Sequence, residues 1–283
     1  MSLIPPFSKG DAHHSSTMQQ HAIGVFDSGV GGLSVLRHIR ELLPSARLIY
    51  VADSGHVPYG DKPASWIEQR SLALARFLIE QGADAIVIAC NTATAAAAPS
   101  LRRQFGIPIV AMEPAVKPAV AATRSGVVGV LATIGTLESA RFAALLERHA
   151  GEVAIVTQCC PGLVELIERG DLCGVETRAL VERYTAPLLA RGADTLILGC
   201  THYPFLASLI TEVVGDNITL VDSGAAVARQ LQRRLQIESP EWAKPAQGSA
   251  QFWTSADAIP ASSIISALWR EEVSVQQLPQ EFM

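Results

Sequence analysis

The sequence predicts an α/β fold of two similar parallel-sheet domains related by pseudo-symmetry, and three observations carry that prediction. Short, β-branched apolar runs alternate with amphipathic stretches along the whole chain, the pattern of parallel strands buried on both faces and linked by helices. The segment "QGADAIVIACNTA" at 81–93 matches "RGADTLILGCTHY" at 191–203, which aligns Gly82 with Gly192, Asp84 with Asp194 and Cys90 with Cys200 at an offset of 110. A weaker pair, "IGVFDSGVGGLS" from Ile23 and "VGVLATIGTLES" from Val128, recurs in the same order at an offset of 105.

Taken in order, the predicted strands of the first half are Ile23–Phe26, Leu48–Val51, Ala85–Ala89 and Pro108–Ala111. Those of the second are Val127–Leu131, Val153–Val156, Thr195–Leu198 and Ile218–Val221. Between the second and third strands, Ile67–Gln81 reads as a helix with Leu72, Ala75, Leu78 and Ile79 on one face. After the eighth strand come a helix over Ala225–Leu235, a Pro/Gly loop "ESPEWAKPAQGSA" and a strand–helix–strand pattern. That tail is too short for a domain and is expected to pack back on the first half. The expected division is therefore 22–116 plus 225–283 for the first domain, 117–224 for the second, and a flexible extension over 1–21.

Composition narrows the function classes. With 283 residues, 49% hydrophobic and 17% charged, the chain has ample core, and its net charge of −5 leaves no basic footprint for nucleic acid. No run approaches the roughly 20 apolar residues of a membrane span, and the N-terminal extension lacks the apolar region of a signal peptide. His13 and His14 in that extension read as solvated rather than metal-binding. Five cysteines (Cys90, Cys159, Cys160, Cys173 and Cys200), an odd number without a signal peptide, suggest reduced thiols in the cytoplasm.

The matched cysteines carry the chemistry. Ligands of open parallel sheets bind beyond the carboxyl ends of the strands, where both Cys90 and Cys200 fall. Each stands where a helix is expected to begin, and the field of a helix N-terminus favours thiolate, lowering the cysteine pKa towards neutrality. Either cysteine alone reads equally well as core filler. Two at matched positions, followed by Asn91 and Thr92 in one case and by Thr201 and His202 in the other, read as a pair of acid–base groups. One thiolate removes a proton from a tetrahedral carbon, the opposite thiol returns one to the other face, and the stereocentre inverts. A hydrolase needs one nucleophile and an orienting base, not two equivalent thiols.

Three loops surround this pair. "FDSGVGGLSV" reads G-x-G-G rather than G-x-G-x-x-G and lacks the basic residue of a P-loop, so a nucleotide cofactor is weakly supported. Its glycines are expected to permit a tight turn beside a small ligand, and Asp27 is either a helix cap or an orienting carboxylate. "HVPYGDK" is either a plain loop or a lid closing over the ligand with the Tyr59 hydroxyl.

Six motifs, "GVFDSGVGGLSVL", "VADSGHVPYGDK", "IACNTATA", "GVLATIGTLES", "LGCTHYPFL" and "VDSG", run in order from Ile23 to Gly224. Together they resemble the cofactor-independent aspartate/glutamate racemase family, in its glutamate racemase branch. The tail matches only loosely. The resemblance implies two similar α/β domains with the active site in the cleft between them. It implies interconversion of L- and D-glutamate without cofactor or metal, supplying D-glutamate for peptidoglycan. Carried over residue by residue, it makes Cys90 and Cys200 the catalytic thiols, with Asp27 and His202 as their assistants. Glu168 is a further catalytic candidate, with Glu165 competing for that place. Substrate binding falls to Asp27, Ser28, Pro58, Tyr59, Gly60, Asn91, Thr92, Thr133, Thr201 and His202. Activation by UDP-MurNAc-L-alanine is a further expectation, tied to the N-terminal extension, as is a homodimer or monomer–dimer equilibrium. The rival readings are an aspartate or other amino-acid racemase of the same superfamily, and a non-catalytic amino-acid-binding or gyrase-modulating protein.

Overall fold

A computed structural model describes residues 22–235 and 248–283. The N-terminal extension with His13 and His14, and most of the Pro/Gly loop over 238–250, lie outside the described residues. Among the described residues, ten strands form two sheets, and every strand pair is parallel. The strands are β1 (Ala22–Asp27), β2 (Arg47–Ala52), β3 (Ala85–Ile88), β4 (Ile109–Ala111), β5 (Val127–Ala132), β6 (Ala154–Cys159), β7 (Thr195–Leu198), β8 (Thr219–Val221), β9 (Ala250–Thr254) and β10 (Val275–Gln277). One sheet runs β10-β9-β2-β1-β3-β4 and the other β6-β5-β7-β8.

The repeat seen in the sequence is a repeat of topology. The order β2-β1-β3-β4 and the order β6-β5-β7-β8 are the same arrangement, with β1 and β5 central and β3 and β7 each leading to a cysteine. The tail adds β9 and β10 beside β2, so it extends the first sheet as expected. β1, β3 and β7 are buried along their whole length, which is why these strands read as unbroken apolar runs.

The helices are α1 (Leu33–Leu42), α2 (Ala64–Glu80), α3 (Asn91–Gln104), α4 (Val116–Ala122), α5 (Ile134–Leu137), α6 (Ala140–His149), α7 (Leu163–Glu168), α8 (Val175–Ala190), α9 (Ala207–Val214), α10 (Gly224–Arg234) and α11 (Ala258–Trp269). The buried face of α2 is turned slightly from the one the periodicity suggested. Leu74, Phe77 and Leu78 are fully buried, whereas Leu72 and Ile79 only partly are, because the aromatic Phe77 packs under Trp253 and Phe282.

Part of the repeat serves the fold rather than the site. Gly82 and Gly192 take φ of +87° and +85°, the left-handed conformation that ends α2 and α8. Asp84 accepts from the Ala22 amide at 2.9 Å, and Asp194 from the Arg124 and Ser125 amides at 2.8 Å each. The Gly-Ala-Asp repeat thus turns the chain and ties each following strand to its neighbour. The cysteine repeat remains for chemistry.

Candidate functional site

The carboxyl ends of the two sheets face each other across one small cavity. Its lining is Ser28, Pro58, Tyr59, Gly60, Cys90, Asn91, Thr92, Thr133, Thr136, Val164, Gly199, Cys200, Thr201 and His202. The cavity volume is about 10 Å³, room for a single water, so the two lobes stand closed on each other. Every substrate-binding residue expected from the sequence lines this cavity except Asp27, which sits directly behind it.

On the first lobe, Cys90 follows β3 and is the N-cap of α3, where its sulfur accepts from the Ala93 amide at 3.4 Å. Its thiol donates to Ser28 Oγ at 3.7 Å. Asp27, at the end of β1, is fully buried. Its carboxylate takes the Ser28 amide at 2.6 Å and the Gly32 amide at the start of α1, and it accepts from Thr201 Oγ1 of the other lobe at 3.1 Å. The N-cap of α1 is Gly32, so Asp27 is not the helix cap; its carboxylate fixes the turn before α1 through the Ser28 and Gly32 amides and stands behind the cavity. Burial pushes its carboxyl up, His202 pulls it back, and the charge of Glu168 adds to the rise.

The thiol of Cys90 departs from the sequence expectation. Burial first, and then the charge of Asp27, push it well above the ordinary cysteine value. The helix N-terminus does act, through the Ala93 amide, but in a closed and desolvated site it is outweighed. Burial and Asp27 thus favour the thiol form of Cys90 over the thiolate.

On the second lobe, Cys200 follows β7 but does not start an α-helix. It leads into a turn and one turn of 3₁₀-helix over Tyr203–Leu206 before α9 begins at Ala207. In place of helix amides its partner is His202, whose Nδ1 lies 3.6 Å from Cys200 Sγ and whose Nε2 lies 2.6 Å from Glu168 Oε1. Burial opposes the charged imidazole, but hydrogen bonds to Cys200 and Glu168 raise its pKa well above the usual histidine value. Glu168, not Glu165, is the acidic residue that reaches the site. Glu165 is exposed, while Glu168 at the end of α7 also accepts from the Val30 amide at 2.6 Å and from Ser54 Oγ at 2.8 Å, both on the opposite lobe.

The glycines of "FDSGVGGLSV" make room for these groups rather than for the ligand. A Cβ on Gly29 would meet Glu168 Oε1 at 2.0 Å, and one on Gly31 would meet His202 Nδ1 at 2.3 Å. The Tyr59 hydroxyl likewise does not close over the cavity. It donates to Asp53 Oδ2 at 2.6 Å, so Tyr59 offers the cavity its ring and backbone only.

Polar side chains also join the lobes across the cavity. Asn91 Nδ2 donates to the Gly199 carbonyl at 2.9 Å, which leaves its buried Oδ1 with no partner. Thr92, Thr133 and Thr136 form a triangle of hydroxyls with sides of 2.9, 3.1 and 3.3 Å. Thr136, Val164 and Gly199 are cavity residues that the sequence reading missed. Val164 was within reach, since it lies four residues before Glu168 and so shares its helical face. Among the described residues, no cluster of His, Cys, Asp or Glu is arranged to hold a metal, and no helix is long and apolar enough to cross a membrane.

Comparison with known proteins bears on the family and the fold. The Asp/Glu/Hydantoin racemase family profile matches residues 23–231. A glutamate racemase of Methylococcus capsulatus is 56% identical over 266 residues, covering 94% of this chain and 98% of its own. One of Pseudomonas aeruginosa is 58% identical, covering 92% and 98%. Among solved structures, glutamate racemase isoform RacE1 of Bacillus anthracis superposes with a TM-score of 0.83 at 30% identity, covering 92% of this chain and 98% of its own. The Escherichia coli glutamate racemase, solved with L-glutamate and the activator UDP-MurNAc-ala, gives a TM-score of 0.80 at 35% identity, with coverages of 91% and 97%.

Proposed function

The chain belongs to the Asp/Glu/Hydantoin racemase family and is an amino-acid racemase, and on that premise we propose that it interconverts L- and D-glutamate by proton transfer between Cα and its two thiols. One observation carries the reading: Cys90 and Cys200, at equivalent strand ends of the two lobes, line the same cavity, each beside its own set of polar partners. One thiolate takes the α-proton, and the opposite thiol delivers a proton to the other face. The enzyme is left with the charges exchanged, ready for the reverse reaction.

The α-proton of an amino acid with an ionised carboxylate is feebly acidic, so charge developing at Cα needs preorganised partners. The N-terminus of α3 and the hydroxyls of Thr92 and Thr133 border a closed space nearly empty of water, while Thr201 and Asn91, whose donors are held by Asp27 and the Gly199 carbonyl, fix its walls. Asn91 Oδ1, buried without a partner, is suited to receive the substrate ammonium group.

The same reading places the enzyme in the cytoplasm, where thiols stay reduced, and makes its D-glutamate a precursor of peptidoglycan. It assigns the Cys90 side to residues 22–116 plus 225–283 and the Cys200 side to 117–224. Activation by UDP-MurNAc-L-alanine extends to this chain what the Escherichia coli structure's title says of that protein. Circular dichroism of the purified protein with L- and then D-glutamate in deuterated buffer tests the proposal. Loss of optical rotation from either enantiomer, with deuterium entering Cα, is expected without any added cofactor. Turnover of aspartate but not glutamate would overturn the substrate assignment, and turnover of neither would overturn the activity.

A further inference from the structure

Behind the substrate loop lies a buried ion pair that touches neither thiol. Asp53 follows β2 and is fully buried, and Arg70, on α2, is 8% exposed. Arg70 grips the carboxylate with both arms of its fork, Nε to Oδ2 at 2.8 Å and Nη2 to Oδ1. The same carboxylate accepts from the Tyr59 hydroxyl at 2.6 Å and faces His56 Nδ1 at 3.1 Å. The third guanidinium nitrogen, Nη1, donates to the Phe282 carbonyl at 2.7 Å, one residue from the end of the chain. The Asp53 amide in turn donates to the Asp27 carbonyl at 3.0 Å, which ties the pair to the first strand of the site.

Apart from the Phe282 carbonyl, the side-chain bonds of this pair go to one loop, through His56 and Tyr59. Pro58, Tyr59 and Gly60 line the cavity, and the loop presses on the opposite lobe. A Cβ on Gly60 would lie 3.0 Å from Thr133 Cβ, and one on Gly135 would lie 3.0 Å from the Gly60 carbonyl. We infer that Asp53 and Arg70 are positioning residues for the substrate: they fix Tyr59, and through it the Pro58–Gly60 backbone, in the shape that receives the amino acid. The C-terminal segment locks the arginine in place.

A fixed loop raises the population of the binding-competent state, so loosening it weakens apparent affinity by the fraction lost, without altering proton transfer. This inference rests on the racemase reading for its kinetic test, and hydrogen exchange keeps it testable independently. In Arg70→Ala, the KM for both glutamate enantiomers is expected to rise about tenfold, as for a loop competent one-tenth of the time, with kcat within about twofold of wild type. Exchange at the His56 and Lys62 amides, which bond to Asp53 and Tyr59 carbonyls, is expected to accelerate while β1 and β3 stay protected. Arg70→Lys, which keeps the charge but not the fork, recovers only part of the KM. Tyr59→Phe removes a single hydroxyl and is expected to show the same pattern in weaker form, and it decides the matter if Arg70→Ala fails to fold. Deletion of Gln280–Met283 frees Nη1 and is expected to move KM in the same direction. An unchanged KM with the loop amides still protected overturns the inference, as does a fall in kcat at constant KM. If the wild type fails to act on glutamate, the functional reading falls and the exchange data alone judge the positioning role.

Discussion

Glu168 Oε1 lies 2.6 Å from His202 Nε2, and the other nitrogen of that ring faces Cys200 Sγ at 3.6 Å. Carboxylate, imidazole and thiol form a relay on one side of the cavity only. Cys90 has in its place a serine hydroxyl, a helix amide and the nearby charge of Asp27. Two lobes of the same topology thus equip their thiols differently. His202, whose proton is held by its bonds to Cys200 and Glu168, sets a cationic ring beside Cys200, while Asp27 opposes a Cys90 thiolate and favours the thiol.

This asymmetry has a kinetic signature. L- and D-glutamate have equal free energy, so His202→Asn must lower kcat/KM by the same factor in both directions, about 10²-fold for loss of acid–base assistance. The isotope effect, however, should split. With the Cys200 step made limiting, substrate deuterated at Cα shows a large effect in the direction where Cys200 removes the deuteron. It shows nearly none in the other direction, where Cys200 delivers a solvent proton. Asp27→Asn should give the opposite imbalance. Equal isotope effects for the two enantiomers in both variants would rule out a separate assistant for each thiol.

Replacing either thiol should abolish racemisation without unfolding the protein. Cys90→Ser and Cys200→Ser are each expected to lose about 10²–10⁴-fold in kcat/KM, the scale of a positioned acid–base group. Serine is also a better helix N-cap than cysteine, so Cys90→Ser should melt at or slightly above the wild-type temperature. Near-native turnover by either variant contradicts the two-thiol mechanism. A marked drop in Tm would recast Cys90 as a packing residue.

Much of this was legible in the sequence, and what was not has physical causes. Apolar strands that end on Cys90 and Cys200, each followed by polar side chains, located the cleft, and the 110-residue repeat paired the two cysteines. Local patterns do not report what the opposite lobe brings, however. The glycines Gly29 and Gly31 read as a tight turn beside a small ligand because Glu168 and His202, which fill that space, come from more than a hundred residues away. The Tyr59 hydroxyl is claimed by Asp53 and Arg70, a pairing across 17 positions that no motif announces. The thiol of Cys90 was misjudged because a helix terminus is visible in a sequence and desolvation is not.

One of these close contacts is a test in itself. Gly31→Ala places a methyl group where His202 Nδ1 stands, at 2.3 Å, so either the ring or the lobe must shift. Because Gly31 has no left-handed φ, the substitution carries no backbone strain of its own. Misplacing a catalytic ring by about 1 Å costs on the order of 10²-fold in rate. The expected outcome is that loss with a far-ultraviolet circular dichroism spectrum like wild type. Full activity in Gly31→Ala would show that His202 need not stand where it does.

The site should also set how stability depends on pH. His202 holds its proton in the fold to well above pH 6.5, whereas in the unfolded chain it gives the proton up near that value. Folding therefore takes up a proton above pH 6.5. The stabilisation is complete below that pH and declines as pH rises towards the folded pKa, by at most about 1.4 kcal/mol per pH unit for one group. Cys90 acts with the same sign at higher pH. Its thiol is held protonated in the fold while the unfolded cysteine ionises near 8.5, so a second loss begins there. Thermal melts of the wild type between pH 6 and 9.5 should accordingly show Tm falling with pH, more steeply beyond about 8.5. His202→Asn should flatten the first part of the curve and Cys90→Ser the second. If both variants keep the wild-type slope, the buried imidazole and thiol are not the groups that release protons on unfolding, and the relay from Glu168 through His202 to Cys200 does not carry the charge assigned to it.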